Sequence, residues 1–331
     1  MQFLNAFTED DIAREINRIC GSTATTYPNK AKAARLNSAL DRYLHLAFES
    51  DGRWPFDDIN QTSPPIDTQD IVSGTNRYKL GTFTEKILSL LKLEILNSAG
   101  TGVYLIPETF DNLGFLSTPA SGVIGGVSSN TFEDLYISPA SGTPTHYVKF
   151  GDFIYLRPSP NYASTAGLKA YFNRPASKFN FVSFTVTIAS PGVFTATAHG
   201  LAANDTVIFN TDGALPTGLT ADTLYFVIST GLTADDFRVS TTKAGSAVNT
   251  SGSQSGNHSF LKTNKEPGVP VVHHTYLARY ASMPYLIENQ APQRGDIVAL
   301  IGQDELAIKS FFSRRSKDDR GSIQPRYQNN R

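Results

Sequence analysis

Apolar residues recur at Ile12, Ile16 and Ile19, three and four positions apart, which predicts one stripe of a short helix. Thr8 reads as its N-cap, with Glu9, Asp10 and Asp11 in the first turn at the positive end of the helix dipole. Gly21 stops the pattern. A second helix is predicted from after Pro28 to just before Asp51-Gly52. Leu36, Leu40, Tyr43, Leu44 and Ala47 share one of its faces, while Lys30, Lys32, Arg35 and Arg42 fall mostly off it. The two helices are expected to form a hairpin-like pair.

From Trp54 to Arg174 the period shortens to that of strands. Asn76–Leu80, Ile87–Leu96, Tyr147–Phe150, Asp152–Arg157 and Leu168–Phe172 are predicted as strands, separated by Gly, Pro and Asn. Gly151-Asp152 reads as the tight turn of a hairpin. Leu116 to Thr145, rich in Ser, Gly and Pro, reads as a long loop, and a loop of that length is usually functional or ordered by a partner.

Between Ser183 and Leu261 the charged residues are Asp205, Asp212, Asp222, Asp235 and Asp236 against Arg238 and Lys243, a net charge of −3. Strands are predicted at Phe184–Ile188, Val193–Thr197, Thr206–Asn210, Leu224–Ile228, Phe237–Ser240 and His258–Leu261, with turn signals between them. That rhythm fits a small all-β sandwich or barrel. Helical spacing resumes after it, so residues 181–262 read as a domain inserted into a core made of residues 1–180 and 263–313.

The last helices are predicted from Pro270 to Asn289 and from about Gln293 to Phe312. Tyr276, Leu277, Tyr280, Ala281, Tyr285 and Leu286 supply the apolar face of the first. Ile297, Leu300, Ile301, Leu306, Ile308 and Phe311 supply that of the second, with Asp304 and Glu305 outward. Residues 314–331 have a net charge of +4 and no apolar stripe, and are expected to form an extended arm. The fold class is therefore α+β: a helical bundle, with two helices at each end of the chain, on an antiparallel β-domain with an inserted all-β module.

Composition narrows the function. The chain has 331 residues, a formal net charge of −1, 18% charged residues, 21 Phe and 14 Tyr, which excludes a disordered protein. Cys20 is the only cysteine, so no internal disulfide and no thiolate-rich zinc cluster can form, and a reducing cytoplasm suits assembly. The acidic start of the chain lacks an apolar signal core, and the longest apolar runs are too short to span a membrane. A charge near zero argues against wrapping nucleic acid over a broad surface.

Motifs for catalysis do not emerge. The histidines at 45, 146, 199, 258, 273 and 274 show no metal-ligand spacing, and His273-His274 reads as structural or capping, with His199-Gly200 as a turn. There is no nucleophile elbow or phosphate loop, and Gly122–Gly126 reads as a loop without a phosphate-binding Lys. Asp57-Asp58, Asp235-Asp236 and Asp318-Asp319 are sequence neighbours rather than a hydrolytic pair. No catalytic residue, cofactor or metal is expected, and the chain does not read as an enzyme.

Two clusters remain. Arg53, Trp54 and Phe56 surround a Pro and include the only Trp. They suit a ligand platform or subunit interface, or else they close the helix pair over the β-domain. In the tail, Arg314, Arg315, Lys317, Arg320, Arg326, Tyr327 and Arg331 suit phosphate contacts, a peptide arm that orders on a partner, or a frayed terminus.

Three stretches together resemble the head-to-tail adaptor (neck or connector) proteins of tailed bacteriophages. Leu36-Asn37-Ser38-Ala39-Leu40-Asp41-Arg42, Gly52-Arg53-Trp54-Pro55-Phe56-Asp57-Asp58 and Asn76-Arg77-Tyr78-Lys79-Leu80 are similar to the amino-terminal half of that family. Glu266-Pro267-Gly268-Val269-Pro270, leading into His273–Ala281, is similar to its penultimate helix. Ala198-His199-Gly200-Leu201, Asp205–Phe209, Leu215–Leu219 and Tyr225–Ile228 look like a β-module of many phage virion proteins.

The resemblance implies a structural virion protein that forms a closed ring, suggested to be twelvefold, between the portal protein and a tail, nozzle or tail-tube protein. It would assemble in the host cytoplasm and let genomic DNA pass through its lumen without sequence-specific binding, with no membrane involved. The portal-binding role falls on residues 314–331 by that resemblance. The alternative is a tail or fibre-attachment protein whose β-insert binds a host glycan or another tail protein.

Overall fold

The first helix begins where a side chain can satisfy its free amides. The structure, a computed structural model, describes residues 1–51, 66–83, 87–108, 140–173 and 175–318. Helix α1 (Ile12–Cys20) is capped by Asp11, whose carboxylate accepts the Arg14 amide at 2.8 Å. The cap is therefore Asp11 and not Thr8, because Asp11 is fully buried and also accepts the Asn5 amide, at 3.2 Å. Gly21 ends α1 in the left-handed region at φ 61°, where a side chain would be strained.

Helix α2 (Asn29–Asp51) buries Leu36, Leu40, Tyr43, Leu44 and Ala47 as its periodicity predicts. Lys32 departs from that pattern: it is fully buried, its ammonium 3.4 Å from the Asn29 side-chain oxygen, and burial lowers its pKa to about 8. Helices α3 (His274–Glu288) and α4 (Arg294–Asp318) complete the helices among the described residues. Both α1 and α2 pack chiefly against α3 rather than on each other, so the expected hairpin-like pair does not form. Tyr27, between α1 and α2, shows why: its hydroxyl donates to the Ala281 carbonyl at 3.0 Å and its ring stacks on Tyr285 at 4.8 Å.

The chain divides into two units, Met1–Arg53 with Ala176–Arg331, and Trp54–Pro175. In the second, one sheet has the order β1-β10-β3-β4, from Ile66–Ile71 (β1), Ser164–Asn173 (β10), Ser89–Leu96 (β3) and Gly102–Tyr104 (β4). Another has the order β2-β8-β7-β5, from Arg77–Lys79 (β2), Phe153–Arg157 (β8), His146–Phe150 (β7) and Ile106–Glu108 (β5). Ser141–Gly142 (β6) pairs with Ser159–Pro160 (β9), a strand within the stretch read as a loop. The β5–β7 and β6–β9 pairings are parallel, so this unit is not wholly antiparallel. Gly151, at φ 59°, turns β7 into β8 as the hairpin reading predicts. Leu93, Ile95, Leu156, Leu168 and Phe172 form its core.

In the first unit, six strands close a barrel in the order β11-β12-β15-β14-β13-β16. They are Val182–Val186 (β11), Phe194–Thr195 (β12), Thr206–Thr211 (β13), Leu224–Ile228 (β14), Asp236–Ser240 (β15) and His258–Lys262 (β16). Each overlaps a strand predicted from alternation, and closure removes the open edges a sandwich would have. Phe194, Phe209 and Phe237 are fully buried inside, and Phe194 stacks on Phe209 at 5.1 Å with 5° between planes. The structure is thus mixed α+β with a closed barrel.

Candidate functional site

Helix α4 continues to Asp318, past the point where the extended arm is expected to begin. Arg314, Arg315 and Lys317 therefore have helical backbone, while Arg320, Arg326, Tyr327 and Arg331 lie outside the described residues. So do Arg53, Trp54 and Phe56. What the structure describes is the stem from which the basic segment leaves.

That stem is held by charge and by rings. Arg42 of α2 donates from Nε to Glu305 Oε1 at 2.9 Å and from Nη2 to Oε2 at 2.7 Å, a two-pronged match of guanidinium to carboxylate. The Tyr276 hydroxyl adds a bond to Glu305 Oε1 at 3.3 Å, and Arg279 of α3 binds Asp304 at 2.7 Å. Asp304 and Glu305 thus face α3 and α2 instead of pointing outward. Leu306, expected in the apolar face, is 71% exposed, because the stripe that meets the neighbours runs through Ile308 and Phe312. Phe312 meets Tyr43 edge-on at 5.9 Å and Phe311 meets His273 at 5.1 Å. Tyr43, fully buried, shares a 2.6 Å hydrogen bond with His273 Nδ1.

Sequence reasoning missed Arg42 and Glu305 as partners. The available signal was a base beside the apolar stripe of α2 and an acid beside that of α4.

His274 has a structural place. Its Nε2 stands 3.0 Å from the Val269 carbonyl, which only accepts, so this nitrogen bears the proton. Nδ1 then accepts from the Met1 amine at 2.8 Å. Burial first, and the Met1 charge second, lower the His274 pKa to about 4. The unfolded chain, with an ordinary imidazole near 6.5, takes up this proton before the folded one does, so stability is retained above about pH 6.5 and falls between 6.5 and 4. The full loss from this group is up to about 3 kcal/mol. Glu305, held low by the Arg42 hydrogen bonds, loses its contribution as pH falls further in the same direction. Urea unfolding of the chain and of His274→Gln at pH 7 and pH 4.5 should show a shallower loss in the variant.

The acids of the barrel have local structural roles. Asp205 accepts the Ala202 amide at 2.6 Å and Asn264 Nδ2 at 2.9 Å, and pairs with Lys262 at 2.7 Å. Asp235 accepts the Ala198 amide at 2.7 Å. His199 Nδ1 accepts the Leu201 amide at 3.0 Å, a turn contact. Among the described residues no group of three His, Cys, Asp or Glu is placed to hold a metal, and no helix is long and apolar enough to cross a membrane. A groove of about 610 Å³ runs beside β11, lined in part by Ser183, Thr185, Thr195, Thr197, Gln254 and Asn257.

Against known proteins, no family model matches this chain and no curated protein matches it.

Proposed function

We propose that this chain is a structural virion protein that forms a ring between portal and tail, joins head to tail and leaves a lumen for DNA. It works as an interaction protein and not as an enzyme. The observation that supports this most is the stem: α4 is fixed to α2 and α3 by Arg42–Glu305 and Arg279–Asp304, and the segment that follows has a net charge of +4. A rigid stem lowers the entropy lost when a charged terminal segment engages a partner. Near-neutral overall charge suits a conduit that lets DNA slide. The test is to mix the purified chain with portal rings of the same virus and image the product. A second tier on the portal axis is the expected result; portal rings left bare would rule the reading out.

The groove beside β11 favours a second reading, in which the barrel binds a host glycan. Its hydroxyl and amide side chains match the donors and acceptors of a sugar, though large aromatic platforms are absent from its lining. Binding of the full chain to a glycan array, competed by free sugar, would favour this reading over the first.

A further inference from the structure

The sheet β1-β10-β3-β4 ends on two strands that pair with no further strand among the described residues. Hydrogen bonding alternates along an antiparallel pair, so the register fixes which backbone groups turn outward. The Leu105 amide donates to the Leu93 carbonyl at 3.0 Å and the Asn97 amide to the Thr101 carbonyl at 2.9 Å. Leu93 and Ile95 therefore bond toward β4, and Gly102 and Tyr104 turn their amides and carbonyls away from β3. Carried across Lys92↔Tyr171 and Glu94↔Lys169 to Asp67↔Ala170 and Gln69↔Leu168, the same alternation turns Ile66, Thr68 and Asp70 outward from β1. The Thr68 amide is occupied locally, by its neighbour Asp67 at 2.7 Å, a contact that a flexible side chain can give up.

The strands alternate in direction across the whole sheet, so β1 and β4 run antiparallel to each other. A second copy related by rotation keeps its strand directions, and its β1 laid beside β4 continues the alternation. We infer that the open edge of β4 receives the β1 edge of a second copy of this chain, extending the sheet from subunit to subunit. This rests on the ring reading above and names the contact that closes it.

The register follows from side chains. Tyr104 is 53% exposed and Ile66 44% exposed, and pairing them joins an aromatic to a β-branched residue, a favoured cross-strand pair. Thr68 then faces Gly102, over which the Glu94 side chain folds, and a hydroxyl is a suitable neighbour for that carboxylate. The next register, with Thr68 opposite Tyr104, sets Asp70 against Glu94, two like charges. Main-chain bonds supply the strength of such an added strand, as in other strand-addition contacts.

Asp67 and Val103 then form a non-hydrogen-bonded pair, with Cα atoms about 4.5 Å apart, within the range a disulfide spans. Full-length Asp67→Cys and Val103→Cys chains, each retaining buried Cys20, are mixed and oxidised mildly. A covalent dimer only in the mixture is expected, and a ladder of multimers from the double variant. In Tyr104→Pro the lost amide is one turned away from β3, so assembly should fail while the melting temperature holds. Crosslinking of Val103→Cys alone, which signals a two-fold dimer, overturns the inference. So do rings that form without the 67–103 bond, which leave the ring reading standing. A chain that never self-associates yet docks on portal rings also overturns the pairing alone; one that does neither overturns both.

Discussion

Phe209→Ala is expected to lower the free energy of unfolding by about 3–5 kcal/mol, the range for emptying a buried aromatic site. Phe209 is fully exposed to its neighbours and not at all to solvent: Phe184, Phe194 and Tyr225 lie at 5.1, 5.1 and 5.2 Å between ring centres. A closed barrel of short strands collapses poorly around such a void, because each ring is held by two or three others. Against a total stability of about 5–15 kcal/mol the loss is large. Val272→Ala, at a side chain 76% exposed, should change stability by less than about 0.5 kcal/mol. Urea unfolding followed by far-UV circular dichroism compares the two; equal midpoints would mean that the barrel core contributes little.

Tyr43→Ala is the second substitution with a large effect, again about 3–5 kcal/mol. Tyr43 touches three elements at once: His273 before α3, Tyr276 on α3 and Phe312 on α4. Its loss opens a void where the stem of the basic segment is fixed, so portal docking should weaken along with stability. Tyr43 and Phe312 should also be coupled. In a double-mutant cycle their interaction energy is expected at about 0.5–1.5 kcal/mol beyond independent losses. Additive losses would show that α4 is held by the ion pairs alone.

Much of the fold was legible because burial imposes a period on the sequence. The barrel strands follow from two-residue alternation between turn signals, and α2 from five apolar residues on one face, all of them buried. Elements whose stability comes from partners far along the chain were not legible. Strand β1, Ile-Asp-Thr-Gln-Asp-Ile, is polar because it is an edge, and only Ile71 is buried. Lys32 looks like a surface base, and only tertiary packing brings it inside beside Asn29. Asp304 and Glu305 look solvated until Arg279 and Arg42 are known to face them. The length of α4 was underestimated since Arg314–Asp318 lacks the apolar stripe by which helices are read. Of the expected site, Arg53, Trp54, Phe56 and the end of the arm lie outside the described residues, so the stem beneath the arm carries the structural argument.

The central claim is that docking runs through the basic segment beyond the anchored part of α4. Portal rings immobilised on a sensor surface, exposed to the full chain and to a chain ending at Ser313, measure it directly. Capture of the first and none of the second, with both unfolding at the same urea midpoint, is the predicted result. Equal capture of the two would contradict it.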